Sequence, residues 1–354
     1  MPSLRTASRR QLTLFVALSG VLVAAVAAVI LPVPYVVLSP GPTLNTLGNG
    51  PGGRSLIQIA GHPTYPAVGH LNLVTVSFQG GPSDALNVFA ALRAWLTPHE
   101  AVVPQEELFG PGQTQQQVVT QDTQQMASSQ QTATAAALCV LGIRFTTVDT
   151  VVTVAKGLPA EGVLRRGDVI TAVDGKPVTC NAAAASLIRA RTPGAPVTLT
   201  VAGTVNGHRV TRQLRLTTAA VQGHAVVGVA VSERYVFPFS VKIRVGDIGG
   251  PSAGLMFALG IVDMLTPGNL TGGRFIAGTG EISADGTVSP IGGIQQKMVG
   301  ARQDGATVFL TPAANCRDTA GAVPPGMRLV KVSTLGGAVS ALKALAAGRS
   351  VPSC

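Results

Sequence analysis

The sequence predicts an α+β protein with an N-terminal transmembrane helix, and three observations lead to this class. An uncharged apolar run lies near the N-terminus, short β-type segments separated by turn residues fill residues 143–217, and strand and helix patterns alternate from residue 218 onward. We therefore predict five parts: a cytoplasmic tail at 1–10, a transmembrane helix at 11–31, a mixed α/β juxtamembrane region at 32–142, a β-rich module at 143–217 and a C-terminal α/β domain at 218–354.

The composition indicates a membrane or cell-envelope protein. The 354-residue chain is 46% hydrophobic and 12% charged, and its formal net charge is +10. A positive balance favours anionic lipids, envelope polymers or nucleic acid as partners. The basic clusters with interleaved aromatic residues that indicate a nucleic-acid surface do not occur in the sequence, so we predict no nucleic-acid partner.

The apolar run from Leu12 to Leu31 carries no charge. At about 1.5 Å rise per residue, a helix of this length crosses the roughly 30 Å hydrocarbon layer of a membrane. Arg5, Arg9 and Arg10 precede the run, which by the positive-inside tendency keeps the N-terminus in the cytoplasm and the rest of the chain outside. A cleavable signal peptide is the alternative, but its apolar core normally spans only about 7–15 residues. We predict a retained single-pass anchor.

The juxtamembrane region is predicted to hold extended segments and helices but no chemistry. Trp95 is the only tryptophan, and we interpret it as a packed core residue, with an interfacial anchor at the bilayer as the alternative. The Pro- and Gly-rich residues 32–53 are predicted as an extended exit from the membrane, 55–59 and 71–78 as strands, 85–96 as a helix, and 114–141 as a long helix or, alternatively, low-complexity disorder.

Four cysteines suit an oxidising compartment, and they lack the C-x-x-C spacing of a metal site. Four cysteines allow three pairings. Chain position favours Cys139 with Cys180 and Cys316 with Cys354, and buried free thiols are the alternative. The sequence predicts neither a metal nor a cofactor.

The β-rich module contains the block Gly167-Asp168-Val169-Ile170, followed by the turn Asp174-Gly175-Lys176-Pro177. With a predicted helix at 181–191 and two strands after it, this pattern resembles the bacterial PDZ domain. The resemblance implies that an extended peptide adds to a sheet edge, with Leu141-Gly142-Ile143 as the remnant of a carboxylate-binding loop. A structural spacer is the alternative.

The C-terminal domain contains Gly249-Gly250-Pro251-Ser252-Ala253-Gly254 and then an apolar run to Val262. Paired glycines make a tight turn and Pro251 suits the first helical position, so Ser252 is predicted in the first turn of a buried helix. Unpaired backbone N–H groups at such an end stabilise negative charge. Ser252 is thus a candidate nucleophile, and the backbone groups of Gly250, Ser252 and Ala253 are candidate oxyanion donors.

A serine hydroxyl needs a base to become a strong nucleophile, and Lys297 is the candidate. It ends the block Pro290-Ile291-Gly292-Gly293-Ile294-Gln295-Gln296-Lys297, in the first turns of a helix predicted to run to about Asp304. Apolar neighbours such as Ile294 and Met298 desolvate the ammonium and lower its pKa toward the range of a general base.

Three blocks in this order resemble the Lon-type serine proteases: G-P-S-A-G at 250–254, T-G-E-I at 279–282 and P-I-G-G-I-x-x-K at 290–297. The resemblance implies Ser252 as nucleophile, Lys297 as general base and Thr279 as a threonine beside this Ser-Lys dyad. A strand threonine bonded to its own backbone is the alternative for Thr279. Residues 306–315 also resemble the strand and loop that follow the lysine helix in that family.

A second resemblance in the same stretch does not indicate a catalytic site. Gly246-Asp247-Ile248-Gly249-Gly250-Pro251 is similar to the G-D-S-G-G-P block of chymotrypsin-like proteases, but Ile248 has no hydroxyl. A triad also needs a placed histidine, and the nearest upstream one, His224, is predicted in a loop or at a strand edge.

The sequence contains no G-x-x-x-x-G-K-[ST] phosphate loop, which the ATPase part of full-length Lon proteases requires. The whole layout resembles the membrane-anchored, PDZ-containing Lon-like proteases of bacteria. This resemblance implies an ATP-independent serine endopeptidase in the bacterial cell membrane. Its substrates are expected to be unfolded or exposed segments of proteins, and a homo-oligomer is a possible assembly. The alternative is a catalytically silent, membrane-anchored PDZ scaffold that binds envelope proteins.

Overall fold

The computed structural model describes residues 9–82, 84–180, 182–205 and 208–354. The first eight residues of the predicted tail, with Arg5, and Asn181 at the predicted helix start lie outside them. The helices are α1 Arg9–Ile30, α2 Val88–Leu96, α3 Gln115–Val140, α4 Ala184–Arg189, α5 Gly254–Leu265, α6 Ile294–Gln303 and α7 Leu335–Ala346.

Strands and helices are mixed along the chain, with an apolar helix first, a β-rich module next and a C-terminal domain of strands and helices, so the predicted α+β class is confirmed. They are β1 Pro32–Val33, β2 Tyr35–Asn45, β3 Ile57–Ala60, β4 His70–Gln79, β5 Leu86–Asn87, β6 Ala101–Pro104, β7 Thr146–Val154, β8 Val169–Val173, β9 Lys176–Pro177, β10 Pro196–Val205, β11 His208–Thr217, β12 Ala219–Val221, β13 His224–Val226, β14 Val229–Val236, β15 Ser240–Ile243, β16 Phe275–Gly278, β17 Glu281–Ile282, β18 Val288–Ser289, β19 Val308–Pro312 and β20 Arg328–Val332.

Helix α1 contains the predicted membrane span. Its segment Leu12–Ile30 is long and apolar enough to cross a membrane, and none of it is buried against the rest of the protein. A signal sequence near an N-terminus has the same properties, so the fold alone leaves the topology of α1 as a prediction.

One six-stranded sheet forms the centre of the protein, in the order β20-β19-β16-β4-β2-β6. The four strands from β20 to β4 are parallel, and β2 and β6 add antiparallel at one side. Half of this sheet comes from the region that the sequence predicts as juxtamembrane. The regions predicted at 32–142 and 218–354 therefore each contribute three strands to the same sheet.

Strand β2 contains Pro40 and Pro42, which the sequence predicts as part of an extended exit from the membrane. The segment is extended, but it lies inside the sheet between β4 and β6. The pairing with β4 shifts register between Pro40 and Thr43. Such an irregularity accommodates prolines because they have no N–H group to donate to the ladder.

The two faces of the central sheet carry different helices. On one face, Leu71, Leu73 and Ile276 pack with α3, α5 and α7 in the main hydrophobic core. On the other, their neighbours Val74 and Ala277 pack against α6. This division follows from the period-2 alternation of side chains along a strand. Helix α5, which follows the candidate nucleophile Ser252, and helix α6, which carries Lys297, thus approach the sheet from opposite sides.

The β-rich module forms a second sheet, in the order β11-β10-β8-β7-β14, over its own hydrophobic core. Strand β14 lies beyond the predicted module, yet it pairs with β7 from Val229↔Val154 to Val236↔Thr146. The predicted pairing of the cysteines is confirmed: Cys139 is bonded to Cys180 and Cys316 to Cys354. The first disulfide connects the end of α3 to the module.

The interpretation of Trp95 as a packed core residue is wrong, because 74% of its surface is exposed. Helix α2 buries the small side chain of Ala94 against the protein instead. The long helix predicted at 114–141 is confirmed as α3. Thr114 caps it, and the Thr114 and Gln117 side chains form a reciprocal capping box.

Candidate active site

A groove of roughly 1280 Å³ lies between the central sheet and helix α3. Strand β4 contributes Val74 to Phe78, and the segment from Ile243 to Gly249 forms another part of the lining. Ser252 and Lys297 both line this groove. Its volume exceeds the roughly 300–1,000 Å³ of a typical small-molecule pocket.

Ser252 lies in a tight turn directly before helix α5. The turn is closed by the Gly254 N–H group, which donates to the Pro251 carbonyl at 3.3 Å, and α5 begins at Gly254. Ser252 therefore lies two residues before the helix begins. The sequence had predicted it within the first helical turn, so this position differs from the prediction. Gly254 is required here, because a Cβ atom would lie 2.8 Å from Ile282 Cγ2 and 3.0 Å from Ser129 Oγ.

Lys297 reaches the turn from helix α6. Gly293 has a left-handed backbone (φ 67°) and its carbonyl accepts the Lys297 N–H group, so the helix starts where the sequence predicts. Lys297 Nζ lies 2.7 Å from Ser252 Oγ and donates to it. The two side chains are 45 positions apart in sequence.

The Lys297 ammonium is in an unfavourable environment for a charge. Only 4% of the residue is exposed, and within the described part of the chain its Nζ forms no ion pair. Burial lowers the pKa of the Lys297 ammonium to about 7. A substantial fraction of the amine is therefore neutral near neutral pH, 2.7 Å from the Ser252 hydroxyl oxygen.

Thr279 connects the lysine to the nucleophile turn. Its Oγ1 accepts a hydrogen bond from Lys297 Nζ at 3.0 Å and donates to the Ser252 carbonyl at 3.0 Å. The Gly280 N–H group donates to the same carbonyl at 2.8 Å. Thr279 is completely buried, and its hydroxyl bonds to Ser252 rather than to its own backbone. It fixes the amine relative to the serine.

The three candidate oxyanion donors differ in how their backbone amides are used. The Gly250 N–H group donates to the Asp122 carbonyl at 3.1 Å and is already occupied. In the described residues, the amides of Ser252 and Ala253 have no protein acceptor. These two amides remain the candidates for holding a negatively charged oxygen.

Helix α3 supplies contacts to the site that the sequence analysis did not identify. Ser129 Oγ donates to the Pro251 carbonyl at 2.9 Å, and the Asp122 carbonyl holds the Gly250 amide. Asp122, Met126 and Ser129 have helical spacing and occupy one face of α3. That spacing is visible in the sequence, but nothing in the sequence indicates that this face meets the nucleophile turn.

The chymotrypsin-like alternative has no geometric basis. His224 lies in β13, is exposed, and pairs only within the small β12–β13 hairpin. It does not line the groove, whereas Ile248 does. No histidine borders the groove in the part of the chain that the structure describes.

Comparisons with known families agree with this architecture. The profile of the Lon protease (S16) C-terminal proteolytic domain matches residues 241–340, and the PDZ domain profile matches residues 139–215. The chain thus carries a Lon-type proteolytic domain together with a PDZ domain, which confirms the Lon-type and PDZ resemblances seen in the sequence.

Individual relatives match only parts of this chain. Lon protease 2 of Herpetosiphon aurantiacus is 45% identical over 69 residues, which are 20% of this chain and 8% of that protein. Lon protease 1 of Bacillus subtilis is 41% identical over 69 residues, or 20% of this chain and 9% of that protein. The chain therefore spans less than a tenth of the length of these two curated proteases.

A solved structure matches another part of the chain. It is the PDZ domain of the SdrC-like protein Lmo2051 from Listeria monocytogenes, with 23% sequence identity and a TM-score of 0.20. The match covers 23% of this chain and 85% of the Listeria domain.

Proposed function

We propose that this protein is an ATP-independent serine endopeptidase in which Ser252 is the nucleophile and Lys297 the general base. The main support is the buried Lys297 amine, 2.7 Å from Ser252 Oγ, with a pKa lowered to about 7. Serine and lysine side chains in this relation need neither histidine nor metal to activate the hydroxyl.

The reaction follows from the groups around the groove. Neutral Lys297 Nζ accepts the Ser252 hydroxyl proton while Oγ forms a bond to the peptide carbonyl carbon. The amides of Ser252 and Ala253 donate to the resulting oxyanion, an effect worth about 2.7–4 kcal/mol per donor. The protonated lysine then gives its proton to the departing amine. Water next attacks the acyl-enzyme while Lys297 takes its proton, and Lys297 then returns that proton to the departing Ser252 oxygen as the carboxylic acid is released.

We infer that substrates are unfolded segments or exposed tails and loops. The sequence contains no phosphate loop that an ATP-driven unfolding motor requires. The groove is lined by strand residues such as Val74 and Val76, which suits a substrate in extended conformation.

The PDZ domain is proposed to recruit protein or peptide partners at a free sheet edge. In this domain β7 already pairs with β8 on one side and with β14 on the other. The outer strands of this sheet are β11 and β14, and we propose that an incoming strand pairs with the outer edge of β14. Strand β14 leads through β15 to Ile243, which lines the groove. A partner bound at β14 would therefore be connected to the site by this short stretch of chain.

We further propose that α1 is retained as a single-pass anchor with the N-terminus in the cytoplasm. The support is its apolar length and the positions of Arg9 and Arg10 at its start. Labelling of cysteines introduced at either end of α1 with a membrane-impermeant reagent in intact cells tests this orientation.

The replacement of Ser252 by alanine tests the proposed chemistry. We expect Ser252→Ala to abolish cleavage of an unfolded substrate such as casein and to abolish labelling by a fluorophosphonate probe. Ser283→Ala is the matched control, because Ser283 Oγ donates only to the Thr287 carbonyl in a nearby hairpin. Continued casein cleavage by the Ser252→Ala protein contradicts the proposal. A wild-type protein that the probe fails to label favours the silent scaffold instead.

A further inference from the structure

Helix α2 directs its small apolar side chains toward the protein and its large apolar side chains outward. This is the reverse of the usual arrangement in a surface helix. Ala90, Ala91 and Ala94 face the protein and pack near Val37 and Leu86. The larger side chains point away from the protein, with between 39% and 74% of their surface exposed: Val88, Phe89, Leu92, Trp95 and Leu96.

The exposed side chains of α2 form one continuous face. At about 100° per residue, these five positions fall within roughly a third of the helix circumference. Arg93 is the only charged residue of the nine-residue helix and is exposed beside this face. A helix of this kind in a water-soluble surface would instead direct its large apolar residues inward, so this face requires a partner.

The position of α2 identifies that partner. Strand β1 follows α1 directly and pairs with β5, with Pro32 opposite Asn87, the N-cap residue of α2. Helix α2 therefore begins one residue after the partner of Pro32, beside the strand that continues the candidate membrane span, and it contacts α1. At nine residues it is about 14 Å long. With α1 across a membrane as proposed above, α2 would begin beside the end of the span, next to a headgroup layer about 5–8 Å thick.

We propose that α2 lies in the membrane–water interface, with Phe89, Leu92, Trp95 and Leu96 inserted among the lipid acyl chains. Short helices with one apolar face and a basic residue beside it bind in the plane of the interface. Tryptophan is favoured at this depth, and Arg93 is placed to contact anionic headgroups. The inference rests on the proposed anchoring by α1 and is independent of the chemistry at Ser252.

Trp95 serves as its own reporter because it is the only tryptophan. The full chain is reconstituted in vesicles of phosphatidylcholine and phosphatidylglycerol that contain lipid brominated in the acyl chains, and the vesicles are opened by freezing and thawing. We expect brominated lipid to reduce Trp95 emission about two-fold or more and aqueous iodide to have little effect, because an interfacial helix is buried about 5–10 Å.

A control moves the reporter to the opposite edge of the central sheet. In the W95F/V323W double variant the sole tryptophan replaces an exposed valine shortly before β20. We expect this tryptophan to be quenched by iodide and unaffected by brominated lipid. In the F89S/L92S/L96S variant, Trp95 should become accessible to iodide while α1 keeps the protein in the vesicles. All three positions are exposed, so the hydrophobic core is unchanged.

Three results would overturn the inference. If iodide quenches Trp95 of the wild type as strongly as it quenches the single tryptophan of the W95F/V323W control, α2 lies in water. Shielding of Trp95 from both quenchers indicates that a second copy of the chain covers the face. If an alkaline wash releases the protein from the vesicles, the protein is not inserted in the bilayer, and lipid cannot be what covers the exposed face of α2. Fluorophosphonate labelling of Ser252 in the same samples reports on the proposed chemistry separately.

Discussion

At the scale of single residues, the burial of Lys297 determines what its amine can do. An exposed lysine is protonated at neutral pH and cannot accept a proton from serine. Burial leaves 4% of Lys297 exposed and lowers the pKa of its ammonium to about 7, while the hydroxyl groups of Ser252 and Thr279 are its hydrogen-bond partners. Desolvation thereby increases the fraction of the amine that is neutral near pH 7, which is the form that the proposed reaction needs.

The first prediction concerns pH. Activity requires the neutral amine, whose fraction grows as the pH rises through the pKa. We therefore expect kcat/KM for peptide cleavage to rise with pH, reach half its maximum near pH 7 and level off above. Lys297→Arg should be inactive at every pH because guanidinium stays protonated, whereas Lys242→Arg on β15 should behave as wild type. A profile whose midpoint lies near 10 would contradict the assigned base.

A second prediction addresses Thr279. Thr279→Val keeps the shape of the side chain but removes the hydroxyl that bonds Lys297 Nζ and the Ser252 carbonyl. A hydrogen bond to a charged group is worth about 1.5–3 kcal/mol, so we expect kcat to fall about 10- to 100-fold with little change in KM. Thr279→Ser should recover most of the activity.

The matched control is Thr311→Val. Thr311 is also completely buried, but its hydroxyl has no hydrogen-bond partner in the described structure. Its replacement by valine should leave kcat unchanged. Equal losses in the two valine variants would mean that Thr279 acts only through packing.

At the scale of secondary-structure elements, helix α3 is the least expected contributor to the site. Its sequence is rich in Gln and Ala, and its polar side chains are typical of a solvated helix. In the fold, one face packs against α5 and holds the nucleophile turn through Ser129 and Asp122. The helix thereby connects the region before the PDZ domain to the chemistry proposed after it.

The third prediction tests this connection. Ser129→Ala removes the hydrogen bond to the Pro251 carbonyl, so we expect the unfolding free energy to fall by about 1 kcal/mol and kcat/KM to fall several-fold. The neighbouring Ser128 is exposed and provides the control. Thermal unfolding and casein cleavage, measured on Ser129→Ala and Ser128→Ala together, check it. If both variants match wild type, α3 does not position the turn.

At the scale of the whole molecule, one disulfide joins the two folded parts. The Cys139–Cys180 bond connects the C-terminal end of α3 to the segment before α4 of the PDZ domain. The same helix contacts the nucleophile turn. The PDZ domain is thus attached to the site from both ends, through α3 before it and through β14 and β15 after it.

The fourth prediction follows from this attachment. Replacing Cys139 and Cys180 by serine opens a loop of 41 residues, and the chain-entropy argument gives a loss of about 2–4 kcal/mol of stability. We expect a lower midpoint of thermal unfolding under oxidising conditions. A reducing agent should lower the midpoint of wild type more than that of the variant, which retains only Cys316–Cys354. Identical midpoints for the two proteins without reductant would contradict the prediction.

The sequence by itself determined the candidate chemistry and many of the elements that carry it. Ser252, Thr279 and Lys297 each lie in a short block whose glycines and helix start are local features, and these blocks can be recognised without knowing the fold. The α3 caps at Thr114 and Leu141 were local in the same way. Local backbone preferences are encoded in neighbouring residues, so sequence patterns reveal them.

Only the tertiary structure decided which distant surfaces meet. It placed β2 and β4 in the same sheet as β16, turned the Ser129 face of α3 toward the nucleophile turn, and left Trp95 on the outside. These choices depend on burying apolar area across the whole molecule and on satisfying backbone groups that lie far apart in sequence. No single segment contains that information, because the side of a helix or strand that becomes buried depends on its partners.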